Sequence, residues 1–136
     1  MKRILFIFGI CLILLSGCKK PVYYKIYDSS YVGKISCLKI ESNDYLIKEK
    51  VSKFLKKGII NSGCNIKLVI YAKYLTQCNN PNVKAFGADF DGYLRFSVID
   101  ENKNLEIFRI QTDFKDYPQE DIIKQMIAIT EKQLRL

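Results

Sequence analysis

Hydrophobic and polar positions follow clear periods along most of the chain after residue 34. Residues 34–41 alternate enough to predict a strand. Over 44–57 the apolar side chains recur at spacings of three and four, which predicts an amphipathic helix with an apolar stripe of Ile47, Val51, Phe54 and Leu55. Ser42, Asn43 and Asp44 provide N-cap chemistry for this helix, and Gly58 suits a left-handed C-terminal cap.

Three further segments have the pattern of strands. Residues 66–76 are rich in β-branched and aromatic residues, with Leu68, Ile70, Ala72 and Tyr74 on one face. A second extended stretch runs from about 84 to 100 and turns Leu94, Phe96 and Val98 inward. Residues 101–104 read as a hairpin turn, and 105–114 as the return strand.

The C-terminal segment is again helical in its pattern. Asp116 and Gln119 have the spacing of a capping box, and Pro118 suits a first helical turn. A predicted apolar stripe follows, made of Ile122, Ile123, Met126, Ile127, Thr130 and Leu134.

The order of these elements is strand, helix, three strands, helix. Such an order predicts an α+β fold in which two helices pack on one face of a four-stranded, mainly antiparallel sheet (β-α-β-β-β-α). The length fits one modest core, so we expect a single domain over 34–136.

The start of the chain has the pattern of a signal peptide. Lys2 and Arg3 precede an apolar run over 4–15, which at about 1.5 Å per residue covers only about 18 Å of a hydrocarbon core about 30 Å thick. The run is therefore too short for a comfortable permanent span. We predict a signal peptide over 1–17, the alternative being a short anchor that stays attached.

Leu15, Ser16, Gly17 and Cys18 resemble the lipobox of bacterial lipoproteins. The resemblance implies cleavage before Cys18, a diacylglycerol thioether on its sulfur and an N-acyl chain on its new amino group. Two or three acyl chains make a lasting anchor. Residues 18–33 are then a lipidated N-terminus and tether, and Lys19 after the cysteine implies sorting to the outer membrane, facing the periplasm.

The charge balance is basic, with 22 Lys and Arg against 14 acids. Nucleic acid is not the expected partner, because an exported protein meets little of it. Anionic lipid head groups, lipopolysaccharide phosphates or an acidic protein are accessible instead. The candidate patch lies on the first predicted helix and consists of Lys48, Lys50, Lys53, Lys56 and Lys57. Lys67, Lys73, Lys84 and Arg95 could extend it. The alternative is that these lysines form an ordinary solvated helix face.

Three cysteines follow Cys18, in a compartment that permits disulfides. Cys64 and Cys78 flank one predicted strand, which would hold them about 40 Å apart. A bond between Cys37 and Cys64 is the alternative to the favoured interpretation, in which these cysteines are small buried apolar residues.

The chain contains neither histidine nor tryptophan. Without histidine it lacks the commonest general base and the commonest metal ligand. The cysteines lack zinc spacing, "DFDG" at 89–92 is only a fragment of a calcium loop, and no glycine-rich phosphate loop occurs. We predict a non-enzyme with no metal and no cofactor other than the lipid on Cys18.

The layout is similar to that of the LptE family, outer-membrane lipoproteins that sit inside a lipopolysaccharide-inserting barrel. The resemblance is carried by the lipobox, by "SNDYLIKEKVSKFLKKGIINSG" at 42–63 and by "QEDIIKQMIAITEKQL" at 119–134. It implies a barrel partner and a role in lipopolysaccharide transport to the outer membrane.

A weaker resemblance, carried by "YYKI" at 23–26 and "LKIESNDYL" at 38–46, is to the auxiliary lipoproteins of MCE-type phospholipid transporters. It implies a complex with an ABC-type ATPase. A structural envelope lipoprotein that binds only protein partners is the third alternative.

Overall fold

A computed structural model of the chain describes residues 21–75 and 90–136. Its strands are β1 (Val22–Ile26), β2 (Lys39–Ser42), β3 (Ile66–Tyr74), β4 (Gly92–Asp100) and β5 (Leu105–Phe114). The helices are α1 (Tyr45–Phe54) and α2 (Glu120–Leu134), and a short 3-10 turn spans Ser29–Tyr31. The α+β class with two helices is confirmed.

The five strands form one mixed sheet in the order β1-β5-β4-β3-β2. The pairs β1–β5, β5–β4 and β4–β3 are antiparallel, whereas β2 and β3 are parallel. The prediction of four strands is corrected, because Val22–Ile26, inside the segment 18–33 assigned to the tether, pairs with β5. The mixed "VYYKI" pattern hid this strand because both of its faces carry tyrosine.

The connection from β2 through α1 to β3 makes the parallel pair. Two adjacent parallel strands need a crossover connection, and α1 provides it. Before β2, the backbone of Leu38 bonds with the segment that follows α1: its N–H donates to the Ile59 carbonyl at 2.8 Å, and its carbonyl accepts from Asn61 at 3.0 Å. These bonds bring the chain back alongside β2 at the level where β3 begins.

Helix α1 begins as predicted and ends early. The Asp44 carboxylate accepts from the Ile47 N–H at 3.1 Å, which satisfies an amide of the first turn. The helix ends at Phe54 rather than near Lys57, because Leu55 is already extended. Gly58, at a φ of +84°, therefore lies in the turn beyond the helix and is not its immediate cap.

Helix α2 lacks the predicted capping box. Its N-cap, Gln119, makes no side-chain cap bond, and Asp116 instead donates its N–H to Asp91 Oδ2 at 2.8 Å. The predicted apolar stripe is confirmed, since all six of its residues are buried.

The core lies between the helices and one face of the sheet. Helix α1 contacts β2 and α2, and α2 contacts β5. The inward residues of the three longest strands are buried as predicted, and they are Leu68, Ile70, Ala72, Leu94, Phe96, Val98, Phe108, Ile110, Thr112 and Phe114. Each large apolar side chain buried in this way stabilises the fold by roughly 1.5–3 kcal/mol.

Cys37 and Cys64 form a disulfide, with their Cα atoms 5.9 Å apart. The favoured interpretation of these cysteines as unpaired was wrong, and the alternative pairing is the one observed. The physical reason is the parallel crossover: it returns the chain after α1 to the level of β2, which places two residues 27 apart in sequence side by side. Cys78 lies outside the described residues.

Replacing both cysteines, Cys37→Ser with Cys64→Ser, is expected to lower the free energy of unfolding by about 2–4 kcal/mol, because the bond restricts the unfolded chain. Urea denaturation without reductant measures the loss. Reductant should shift the original protein toward the variant and leave the variant unchanged. Equal midpoints for the two proteins without reductant would contradict the bond.

Gly92, at the start of β4, has no room for a side chain. A Cβ atom there would lie 2.2 Å from the carbonyl oxygen of Lys73 and 2.4 Å from the ring of Phe114. Phe114 in turn meets the Tyr74 ring edge-on at 5.3 Å between centroids. Glycine therefore lets three elements approach one another at this end of the sheet.

Gly92→Ala is expected to cost about 1–3 kcal/mol of stability, the usual penalty for overpacking. Gly63→Ala is the matched control, because its Cβ would meet only ordinary contact at 3.4 Å and we expect a change within about 0.5 kcal/mol. Urea midpoints compare the two variants. Similar losses at both positions would refute the steric explanation.

Candidate binding surface

The five lysines predicted to form a patch do not share one surface. Lys48, Lys50 and Lys53 lie on α1, whereas Lys56 and Lys57 follow its end. Lys48 and Lys50 are two residues apart, which separates them by about 200° around the helix. The prediction of a single patch, which assumed a helix reaching residue 57, is therefore corrected.

The α1 lysines that face α2 contact aromatic rings. Lys50 Nζ lies 5.3 Å from the Tyr117 ring centroid, and Lys53 Nζ lies 5.9 Å from that of Phe54. The hydrogen bond from Lys124 lowers the pKa of Glu120, and the charges of Lys50 and Lys53 contribute to this shift. These lysines are therefore partly engaged within the molecule.

Lys56 is tied to the C-terminal segment. Its backbone N–H donates to Glu131 Oε1 at 2.8 Å, and its Nζ donates to the Leu136 carbonyl at 3.2 Å. Of the other predicted positions, Lys67, Lys73 and Arg95 lie on the same face of the sheet, with Lys67 and Lys73 at opposite ends of β3. Cys18 and Lys84 are outside the described residues.

The sheet face opposite the helices is the most extensive candidate surface in the described part of the chain. Among the described residues no element covers it, and we call it the open face. Its residues alternate with the inward-facing ones along the strands, except at the adjacent buried pair Ile107 and Phe108 in β5. They are Tyr23, Lys25, Lys39, Glu41, Lys67, Val69, Tyr71, Lys73, Tyr93, Arg95, Ser97, Ile99, Glu106, Arg109, Gln111 and Asp113. Ser97 belongs to this face but is buried by its neighbours.

A row of four polar or aromatic side chains crosses the centre of the open face. The strand register aligns them from β1 to β3 in the order Tyr23, Gln111, Arg95, Tyr71. Arg95 Nε donates to Gln111 Oε1 at 2.9 Å, which holds both planar groups in place. Tyr71 also contacts Tyr93, with ring centroids 6.0 Å apart.

A β-bulge adds a second pair to this face. The register shifts by one residue between Val98 and Ile99, so Glu106 and Arg109, three apart, lie on the same face instead of opposite faces. Arg109 donates two hydrogen bonds to Glu106, from Nε to Oε1 at 2.8 Å and from Nη2 to Oε2.

The pKa of Glu106 reflects this pair. Burial alone would raise it, but the hydrogen bonds from Arg109 and Ser97 outweigh that effect and hold it below the ordinary glutamate value. Glu106 is therefore ionised at neutral pH, and its charge is balanced by Arg109.

A compact charge cluster occupies the β2 side of the open face. Lys39 and Lys67 each pair with both Glu41 and Glu101 at 3.2–3.4 Å. Hydrogen bonds from Lys39 lower the pKa of Glu101, and the same contacts raise the pKa of Lys39. Two cations and two anions balance here, so this side presents little net charge.

The β1 side of the open face contains an open depression of about 310 Å³, lined by Tyr23, Tyr24, Lys25, Arg109 and Gln111. Lys25 Nζ and the Arg109 guanidinium both lie over the Tyr27 ring, at 4.9 and 5.6 Å from its centroid. Aromatic and cationic groups therefore adjoin one another around this depression.

At the far end of β3, Tyr74 donates a hydrogen bond to Asp44 Oδ2 at 2.7 Å. Burial and this bond raise the pKa of Tyr74, so its hydroxyl stays protonated and acts as a donor. Asp44 is already the N-cap of α1, and the contact links that helix to the sheet.

No cluster of three or more metal-ligating side chains occurs within 21–75 and 90–136. Asp91, from the fragment that resembles a calcium loop, accepts the Asp116 N–H and joins β4 to the segment before α2. Among the described helices, none is long and apolar enough to cross a membrane.

Sequence reasoning placed Lys67, Lys73, Tyr93 and Arg95 correctly on the outer side of their strands. It missed Tyr23, because β1 was assigned to the tether, and it missed the Glu106–Arg109 pair. The signal for the latter is the adjacent apolar pair Ile107 and Phe108, which breaks strict alternation; both are fully buried.

Comparisons with known proteins give only distant likenesses. A PelC dodecamer from Paraburkholderia phytofirmans has a TM-score of 0.46 and 10% identity, over 84% of this chain and 97% of that one. A PDZ domain protein from Parabacteroides distasonis has a TM-score of 0.52 and 12% identity, over 84% of this chain and 35% of that one.

This chain therefore spans about a third of the length of the PDZ domain protein, and the likeness to it concerns the fold alone. No protein-family model matches the sequence. No curated protein matches it either.

Glu106→Gln is expected to lower the free energy of unfolding at neutral pH by about 0.5–1 kcal/mol, the range for partly exposed ion pairs. The folded protein lowers the pKa of Glu106, so the ion pair stabilises the fold at pH values above the unfolded-state pKa of about 4.3. This stabilisation is lost as the pH falls through the lower folded-state pKa of Glu106. The urea midpoints of Glu106→Gln and of the original protein, measured from neutral to acid pH, should therefore converge.

Glu49→Gln, at an exposed residue of α1 with no ion pair among the described residues, is the matched control and should have nearly the same stability as the original protein. A constant difference between Glu106→Gln and the original protein down to acid pH would contradict the ion-pair explanation.

Proposed function

We propose that this protein is a small lipoprotein of the cell envelope, anchored through acyl chains on Cys18, whose folded domain has a non-catalytic binding or assembly role. The single observation that carries the binding role is the open face. An entire side of a five-stranded sheet, with aligned tyrosine, arginine and glutamine side chains, is uncovered by the described elements. Tyrosine and arginine are enriched at protein interfaces relative to the rest of the surface.

Two features support the location. The lipobox residues Leu15, Ser16, Gly17 and Cys18 follow a positive segment and an apolar run. The Cys37–Cys64 disulfide suits an oxidising compartment outside the cytosol. We further propose the outer membrane, on its periplasmic side, from Lys19 after the cysteine.

The partners proposed are the membrane itself, through the anchor, and another envelope protein. Anionic lipid or lipopolysaccharide remains a proposed ligand, with the open face now replacing the α1 lysines as the surface that would contact it. The lipopolysaccharide-transport role implied by the LptE resemblance stays a prediction, as does the transporter alternative.

Cells expressing the full chain and labelled with palmitate are expected to incorporate label into the protein, and the Cys18→Ser variant is expected to incorporate none. Cys11→Ser is the matched control, because it removes another cysteine of the same N-terminal segment and should keep the label. Label in the Cys18→Ser protein, or none in the original, would overturn the anchor.

Affinity capture with the labelled protein then tests the partner by mass spectrometry. Recovery of an outer-membrane barrel would support the LptE-like alternative, and recovery of an MCE protein with its ATPase would support the transporter alternative. Recovery of other envelope proteins alone would support a structural role.

A further inference from the structure

The tyrosines of the open face form a platform for flat ligands. Tyr23 is 67% exposed and Tyr71 is 41% exposed, although both belong to regular strands. They stand at the two ends of the central row, three strand spacings or roughly 14 Å apart. Exposed aromatic rings separated in this way suit an elongated ligand whose own rings present apolar faces, as sugars do.

The groups between these tyrosines are hydrogen-bond donors with fixed orientation. Arg95 uses its Nε to bind Gln111, which leaves the two terminal nitrogens of the guanidinium directed to other partners. No described carboxylate lies within ion-pair distance of Arg95, but its charge contributes to the lowered pKa of Glu106. The guanidinium also lies over the Tyr93 ring, 5.2 Å from its centroid. A guanidinium held in this way is suited to bidentate binding of a carboxylate.

The open face also carries an excess of positive charge. Lys25, Lys73 and Arg95 have no ion-pair partner among the described residues, whereas Arg109 is balanced by Glu106. Asp113 is the remaining carboxylate, and the cluster of Lys39, Lys67, Glu41 and Glu101 is balanced internally. The charge of this surface therefore complements an anionic ligand.

From these observations we infer that the open face binds an acidic oligosaccharide. Its sugar rings would lie on Tyr23 and Tyr71, and a uronate carboxylate would pair with Arg95. This inference rests on the proposed function, because single-stranded nucleic acid also combines stacking with negative charge. An envelope location makes the acidic glycan the accessible ligand of the two.

The test uses the full chain in detergent micelles, titrated with short oligogalacturonates and followed by calorimetry. Tyrosine emission is a second readout, since the chain contains no tryptophan. Oligogalacturonate is expected to bind about tenfold or more tightly than the neutral oligosaccharide of equal length, and added salt should weaken the binding.

The Tyr71→Ala and Arg95→Gln variants are each expected to weaken binding about tenfold. Arg95→Lys, which keeps the charge and loses the planar fork, should recover only part of the affinity. The matched controls on α1, Tyr45→Ala at a side chain 77% exposed and Lys48→Gln, should bind as the original does. Thermal melts followed by circular dichroism verify that each variant is folded.

Absence of binding by the original protein would overturn the inference. So would equal affinity for the neutral oligosaccharide, tighter binding of oligothymidylate than of oligogalacturonate, or equal losses in the α1 controls. Palmitate labelling separates the two proposals: a labelled protein that ignores oligogalacturonate overturns the ligand alone, and an unlabelled protein overturns the anchor.

Discussion

One-sided burial of the sheet is the constraint on which the rest of the structure depends. The inward residues of β3, β4 and β5, with Phe96, Phe108 and Phe114 the largest, are nearly inaccessible because both helices lie over them. Each outward residue is thereby held at a fixed position with its side chain free of the core. The same packing that stabilises the fold also arranges the open face.

The chain closes this architecture at its β2 edge through several contacts. The bonds of Leu38 with Ile59 and Asn61, the Cys37–Cys64 disulfide and the paired charges of Lys39 and Lys67 all join segments that are distant in sequence. A four-residue strand has few ladder bonds of its own, so these additional contacts hold β2 in register. The balanced charges there leave the positive excess to Lys25, Arg95 and Lys73, which lie outside this cluster.

The properties of the open face depend on the order of its side chains as much as on their composition. Arg95 is fixed by Gln111 from the adjacent strand, and Arg109 is fixed by Glu106 through the bulge. Side chains held in this way lose less conformational entropy when a ligand binds. By contrast, the lysines on α1 point in different directions around the helix, and those nearest α2 already contact aromatic rings.

The periodicity of the sequence alone determined the faces of β3, β4 and β5 and the buried stripe of α2, because alternation and helical spacing are local properties. The resemblance of residues 15–18 to a lipobox and the lack of histidine are also evident in the sequence, and they set expectations about location and chemistry. Tertiary structure alone decided that Val22–Ile26 joins the sheet, that β2 runs parallel to β3 and that Cys37 meets Cys64. These outcomes depend on pairing between segments that are distant in sequence. Which segments pair is set by how they bury a shared core together, and this is not a local property of any one segment.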